Sequence, residues 1–176
     1  MPTTHIALLR GVMPSGKNAV KMAALREVLT QGGFADVRTW IQSGNVALTT
    51  DLSAQDTARE VRRLIHEKLG PDLPVIVKTP RQLQAVLAKN PFADGRHDIK
   101  RVFVALANEP LDAACARALL AQDCGDEQLA ITEAAAYLYI PGSAARSRLG
   151  LPLLEKSFGL AMTTRNLNTL SKMAGF

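Results

Sequence analysis

The chain has 176 residues, 47% of them hydrophobic, with 21 Lys and Arg against 16 Asp and Glu, a net charge of +5 and a pI near 9.5. That length fits one domain or two small ones, and the apolar content fills a core without disulfide or metal staples. The core must be Leu, Val, Ile and Ala, because aromatics are only 5%. No apolar run approaches the roughly 18 residues that span a bilayer, and residues 1–11 (MPTTHIALLRG) lack the basic lead and cleavage site of a signal peptide. Cys115 and Cys124 make no disulfide framework and read as reduced thiols. A cytoplasmic protein with no membrane partner is the expectation.

Residues 6–9 form an apolar run ending at Arg10 and Gly11, which reads as a buried strand and a turn. Met22, Leu25, Val28 and Leu29 recur at helical spacing until Gly32 and Gly33 stop the pattern. Residues 37–42 and 45–49 are β-prone runs around Ser43-Gly44, a two-residue hairpin signal. Ala54–Leu69 predicts a helix with Ala58, Val61 and Ile65 inward; Gly70-Pro71 breaks it, and 74–78 is a strand. A helix over 80–89, capped by Thr79 with Pro80 at its first position, leads into 90–100 (NPFADGRHDIK), a loop between domains. The order then repeats: strand 101–107, helix 111–122 opened by Pro110, strands 128–132 and 136–140, helix Leu151–Phe158 closed by Gly159, strand 160–164. A last helix, Leu167–Ala174, buries Leu167, Leu170 and Met173. Two β-α-β-β-α-β runs predict an α+β protein of two tandem ferredoxin-like units with a C-terminal helix, divided as 1–79, a helix and linker at 80–100, and 101–176.

Three acid-free polar segments stand out: 10–18 (RGVMPSGKN), 42–45 (QSGN) and 163–169 (TTRNLNT). Each falls where a strand ends and a turn or helix begins, the usual place for binding groups. Residues 1–26 carry Arg10, Lys17, Lys21 and Arg26 with no acid; residues 146–176 also net +4, whereas 112–133 net −4. The basic ends coincide with two of the polar segments, which favours an anionic partner. In a β-α-β-β-α-β unit the strand-one exit shares an edge with the two-three hairpin, so 10–18 and 42–45 should meet. In the second unit the exits of strands three and four share an edge, so 141–150 (PGSAARSRLG) should lie with 163–169.

Gly11 to Asn18 matches G-x-x-x-x-G-K, but Asn18 stands where a phosphate-binding P-loop needs a magnesium-ligating hydroxyl, and a hairpin follows instead of a parallel strand. What survives is an anion held at a helix start by backbone N–H groups, with Lys17 and Arg10 beside them. Against it stands a plain structural reading, Asn18 as a helix cap and Gly11 and Gly16 as turn residues. Arg165 and Asn166 repeat the pattern with Thr164 and Thr169 nearby, and Arg can grip a phosphate or carboxylate with two parallel bonds. Arg146 and Ser147 add donors at that edge. Gln42, Ser43 and Asn45 offer amide and hydroxyl groups, or simply close a turn. His5, His66 and His97 lie far apart with no acidic cluster, so no metal is assigned. Ser43 and Ser147 have no evident His partner. The early strands lack the aromatics on which RNA-recognition motifs stack bases.

The strings LLRG at 8–11, GKN at 16–18, IQSGN at 41–45, the RSRL stretch and TTRN-x-NT resemble a bacterial family of cytoplasmic proteins known as domain of unknown function 1697. The similarity runs over nearly the whole chain. It implies a pair of ferredoxin-like domains and carries no established activity or cofactor. The family usually reads RGIN-V-GG where this chain has Val12, Met13, Pro14 and Ser15, and it often has Trp where this chain has Leu167. Three functions follow from the residues: binding of an anionic small molecule or nucleotide, a protein-interaction or structural role in which the motifs serve turns and caps, and binding of a nucleic-acid backbone.

Overall fold

The computed structural model describes residues 1–176. In chain order β1 (Thr3–Leu9), α1 (Met22–Gln31), β2 (Ala35–Trp40), β3 (Asn45–Thr50), α2 (Ala54–Leu69) and β4 (Val75–Lys78) come first. They are followed by α3 (Pro80–Ala88), β5 (Val102–Ala107), α4 (Ala113–Leu120), β6 (Gln128–Ile131), β7 (Ala136–Tyr139), α5 (Leu151–Phe158), β8 (Met162–Asn166) and α6 (Leu167–Ala174). The strands make two four-stranded antiparallel sheets, ordered β2-β3-β1-β4 and β6-β7-β5-β8. This α+β arrangement is compatible with tandem ferredoxin-like units. The chain divides into Met1–Leu83 with Lys172–Phe176, and Gln84–Ser171. No helix is long and apolar enough to cross a membrane.

In the first unit, β1 is a near-continuous apolar run because both its faces are shut off from water. Ile6 and Leu8 are fully buried on one face, Ala7 and Leu9 on the other. Ala7 and Leu9 join Val46, Leu48, Val75 and Val77 against Leu25 and Leu29 of α1 and Val61 and Ile65 of α2. The α2 helix forms where local and tertiary signals agree. Ser53 caps it by accepting from the Asp56 N–H at 3.1 Å, Asp56 lies in its first turn and Lys68 in its last, and Gly70 at φ +101° ends it. Its buried residues, Ala58, Val61 and Ile65 among them, recur at helical spacing. His5 is buried on β1, its Nδ1 3.0 Å from Thr57 Oγ1. That hydroxyl donates to Ser53 O, so it accepts from an Nδ1–H, and burial lowers the imidazole pKa.

The second unit packs Ala105, Ala107, Ala136, Leu138 and Met162 of its sheet against Leu119 of α4 and Leu154 of α5. The other sheet face is closed too: Val102, Val104, Leu106 and Tyr137 are fully buried. The Tyr137 hydroxyl donates to Val86 O at 2.7 Å, which satisfies it inside the core.

Three local expectations change. The first hairpin turns through four residues, Ile41 to Gly44, and the two-residue Ser43-Gly44 turn does not form. Positive φ at Ile41 (49°) and Gly44 (77°), at the two ends of the loop, makes the wider turn. α1 begins at Met22 behind Lys21, which offers no side-chain cap, so Asn18 caps nothing and no helix start adjoins it. β8 runs two residues further than the apolar pattern suggests, because Arg165 and Asn166 pair with Val104 and Phe103.

Candidate functional site

Segments 10–18 and 42–45 meet at one end of the first sheet, as the strand directions require. The Leu9 N–H donates to Gly44 O at 2.9 Å, and Gln42 Nε2 donates to Val20 O at 2.8 Å. The loop between β1 and α1 closes on itself through Met13 N–H to Asn18 O (3.0 Å) and Ala19 N–H to Gly16 O (3.1 Å). Gly11 and Gly16 hold φ of +79° and +82°, the left-handed conformation that glycine takes without strain. The Arg10 N–H donates to Pro74 O at 3.0 Å, which fixes the strand exit. Asn45 is fully buried and spans the turn, its Nδ2 donating to Trp40 O at 3.1 Å and Ser43 Oγ at 2.9 Å. Gln42 and Asn45 thus build the edge with their amide donors. Lys17 projects from it, exposed and with no carboxylate against it.

At the second edge the strand ends also converge. Phe103 pairs with Asn166, Val102 with Tyr139, and the Arg101 guanidinium donates to Gly142 O at 3.1 Å. Loop 141–150 is tied down by one side chain. Glu127 Oε2 accepts from Ser147 Oγ (3.0 Å), Arg148 N–H (3.0 Å) and Leu149 N–H (3.1 Å). Ser147 is therefore spent inside the fold. Arg146 and Arg148 line a cavity of about 320 Å³ with Cys124, Asp126, Glu127 and Gly142. Asn166 caps α6, its Oδ1 accepting from the Thr169 N–H at 2.8 Å, and Thr169 itself is buried. Arg165 and Asn166 occupy opposite faces, since they pair with alternating residues of β5. Arg165 Nη1 donates to Thr163 Oγ1 (2.7 Å) and Thr164 O (2.9 Å), and burial lowers its pKa to about 10, still charged at neutral pH.

Two features carried no sequence signal. Glu127 lies some distance before the loop it organises, and nothing in its own neighbourhood marks the pairing. His97 sits in an aromatic corner, with ring centroids 5.0 Å from Phe92 and 4.6 Å from Tyr139. Its Nδ1 lies 2.9 Å from Asp94 Oδ1 and its Nε2 3.2 Å from Gln128 Oε1. The His97 hydrogen bond, with the Arg96 N–H behind it, holds the Asp94 carboxyl far below the usual carboxylate range. His66, by contrast, lies 3.0 Å from Gly70 O at the end of α2, so the three histidines occupy separate environments.

The chain belongs to the family described as Protein of unknown function (DUF1697), whose model matches residues 2–137. A solved structure of similar fold is the conserved bacterial protein SP0830 from Streptococcus pneumoniae. It is 25% identical with a TM-score of 0.77, and the match covers 99% of this chain and 98% of that one. No curated protein matches the chain.

Proposed function

We propose that this protein binds an anionic small molecule or nucleotide, one bearing phosphate or carboxylate, at its basic polar edges. The observation that carries the reading is Lys17. It is exposed, has no carboxylate partner, and stands on a loop ordered by its own backbone hydrogen bonds, in a stretch of 26 residues without an acid. A cation held on an ordered loop binds an anion without first giving up an internal ion pair. At the other edge Arg146 and Arg148 line a cavity together with Asp126 and Glu127, and Glu127 is engaged by Ser147 and the N–H groups of Arg148 and Leu149. The strand orders further support ferredoxin-like topology for both units, with the boundary in the 80–100 segment, and a cytoplasmic location fits the reduced cysteines.

The test is a thermal-shift screen of nucleotides and phosphorylated metabolites. Stabilisation by at least one anion, reduced in Lys17→Ala or in Arg146→Ala, is expected. No shift with any anion removes the reading. A structural role for the motifs is the second reading. It is favoured by the internal partners of Gln42, Asn45, Ser147 and Asn166, and it predicts variants that lose stability with no ligand effect to lose. Nucleic-acid backbone binding would instead weaken steeply with salt.

A further inference from the structure

Ile41 is a β-branched residue at φ +49°, a conformation that Gly or Asn takes with little strain and Ile does not. Burial does not repay the strain, because Ile41 is 52% exposed. It has company. Met13 is 52% and Trp40 38% exposed; Trp40 ends β2, and Met13 and Ile41 lie on the loops joined by the Leu9–Gly44 and Gln42–Val20 hydrogen bonds. The surroundings are cationic. Lys17 and Lys21 stand on the adjoining loop. Lys172 Nζ lies 5.0 Å from the Trp40 ring centroid, and the Arg38 guanidinium 4.5 Å from that of Phe176. No acid occurs before Glu27.

We propose that this hairpin tip is a docking surface for an acidic segment of a partner protein that carries an apolar side chain. Trp, Met and Arg are the residues that protein interfaces concentrate, and the apolar groups here are interrupted by Gln42 and Ser43 as in a mixed protein interface. Lys172 and Arg38 are drawn onto aromatic rings, which pre-orders the cations for carboxylates. The proposal does not rest on small-anion binding. The two are separable, because Ile41 contributes nothing to a free phosphate.

The experiment selects randomised phage-displayed peptides on the immobilised full chain and measures the affinity of the enriched ones for the wild type, Ile41→Asn and Met13→Ser. Enriched peptides are expected to be acidic with at least one large apolar residue, to bind less tightly as salt rises, and to bind Ile41→Asn about tenfold or more weakly. Ile41→Asn should at the same time melt at a higher temperature than the wild type, the mark of strain kept for a use outside the fold. Peptides without acids, or equal affinity for Ile41→Asn and Met13→Ser, overturn the proposal. So does Ile41-dependent binding to anionic vesicles or duplex DNA, or Ile41-dependent self-association. Nucleotide-induced stabilisation kept in Ile41→Asn with peptide binding lost would separate the two sites of action.

Discussion

Gly44 is a position where the candidate edge closes directly on the core, and Gly44→Ala tests how that edge is built. A Cβ there would lie 2.7 Å from Leu9 Cβ and 2.8 Å from Val12 Cγ2. Leu9 Cβ is fixed to the backbone of β1, the central strand paired on both sides, so it cannot swing away. The residue also holds φ +77°. The left-handed conformation costs a non-glycine residue about 1–2 kcal/mol, and forcing an extra methyl into a packed core about 1–3 kcal/mol. The substitution should therefore destabilise by about 2–5 kcal/mol, a large part of the roughly 5–15 kcal/mol that holds a domain together. Gly16→Ala is the control. Its φ is +82°, but nothing lies within 4 Å of the added Cβ, so only the conformational cost of about 1–2 kcal/mol remains. Urea unfolding followed by circular dichroism reads both. Equal losses at the two glycines would refute the close approach of hairpin and strand.

Asn45→Ala removes the amide that binds Trp40 O and Ser43 Oγ inside the fold; a loss of about 1–3 kcal/mol in urea unfolding is expected. Glu127→Ala frees loop 141–150 from its shared carboxylate, so limited proteolysis should cut there, beside Arg146 or Arg148, faster than in the wild type while the far-ultraviolet spectrum stays unchanged. Asp94 has a depressed pKa in the fold, so its contribution is full above the ordinary value of 3.8 and is lost as pH falls through the folded value. Asp94→Asn should accordingly lower the urea midpoint at neutral pH, and its difference from the wild type should shrink as the solution is acidified below that ordinary value.

The element order and the meeting of polar segments within each unit were legible because they follow from local pattern and strand direction. Ala58, Val61 and Ile65 mark the buried face of α2 by their spacing, and Gly70 marks its end. The apolar run at β1 reads as a strand buried on both faces. What stayed illegible depends on tertiary partners. Asn18 precedes the first helical residues at cap-like distance, yet its carbonyl is taken by Met13 and the helix waits until Met22. Glu127 looks like one acid among five in an acidic stretch, and only the folded loop shows that three donors converge on it. The four-residue hairpin escaped because Ile41 is a residue that turn chemistry disfavours at positive φ.

That division among the motif residues constrains the ligand. The amide donors of Gln42 and Asn45 and the Asn166 carbonyl, the groups best suited to reading a nucleobase edge, are spent on Val20, Trp40, Ser43 and the start of α6. What faces outward at the first edge is Lys17, and at the second Arg146. Cations of this kind grip phosphate and carboxylate through charge and N–H donors, a contact that leaves the attached base unread. Nucleoside triphosphates carrying different bases should therefore stabilise the protein alike, with inorganic triphosphate close behind. A strong preference for one base would mean that an amide leaves its internal partner on binding, and Asn45→Ala would then abolish the preference together with the fold's own hydrogen bond.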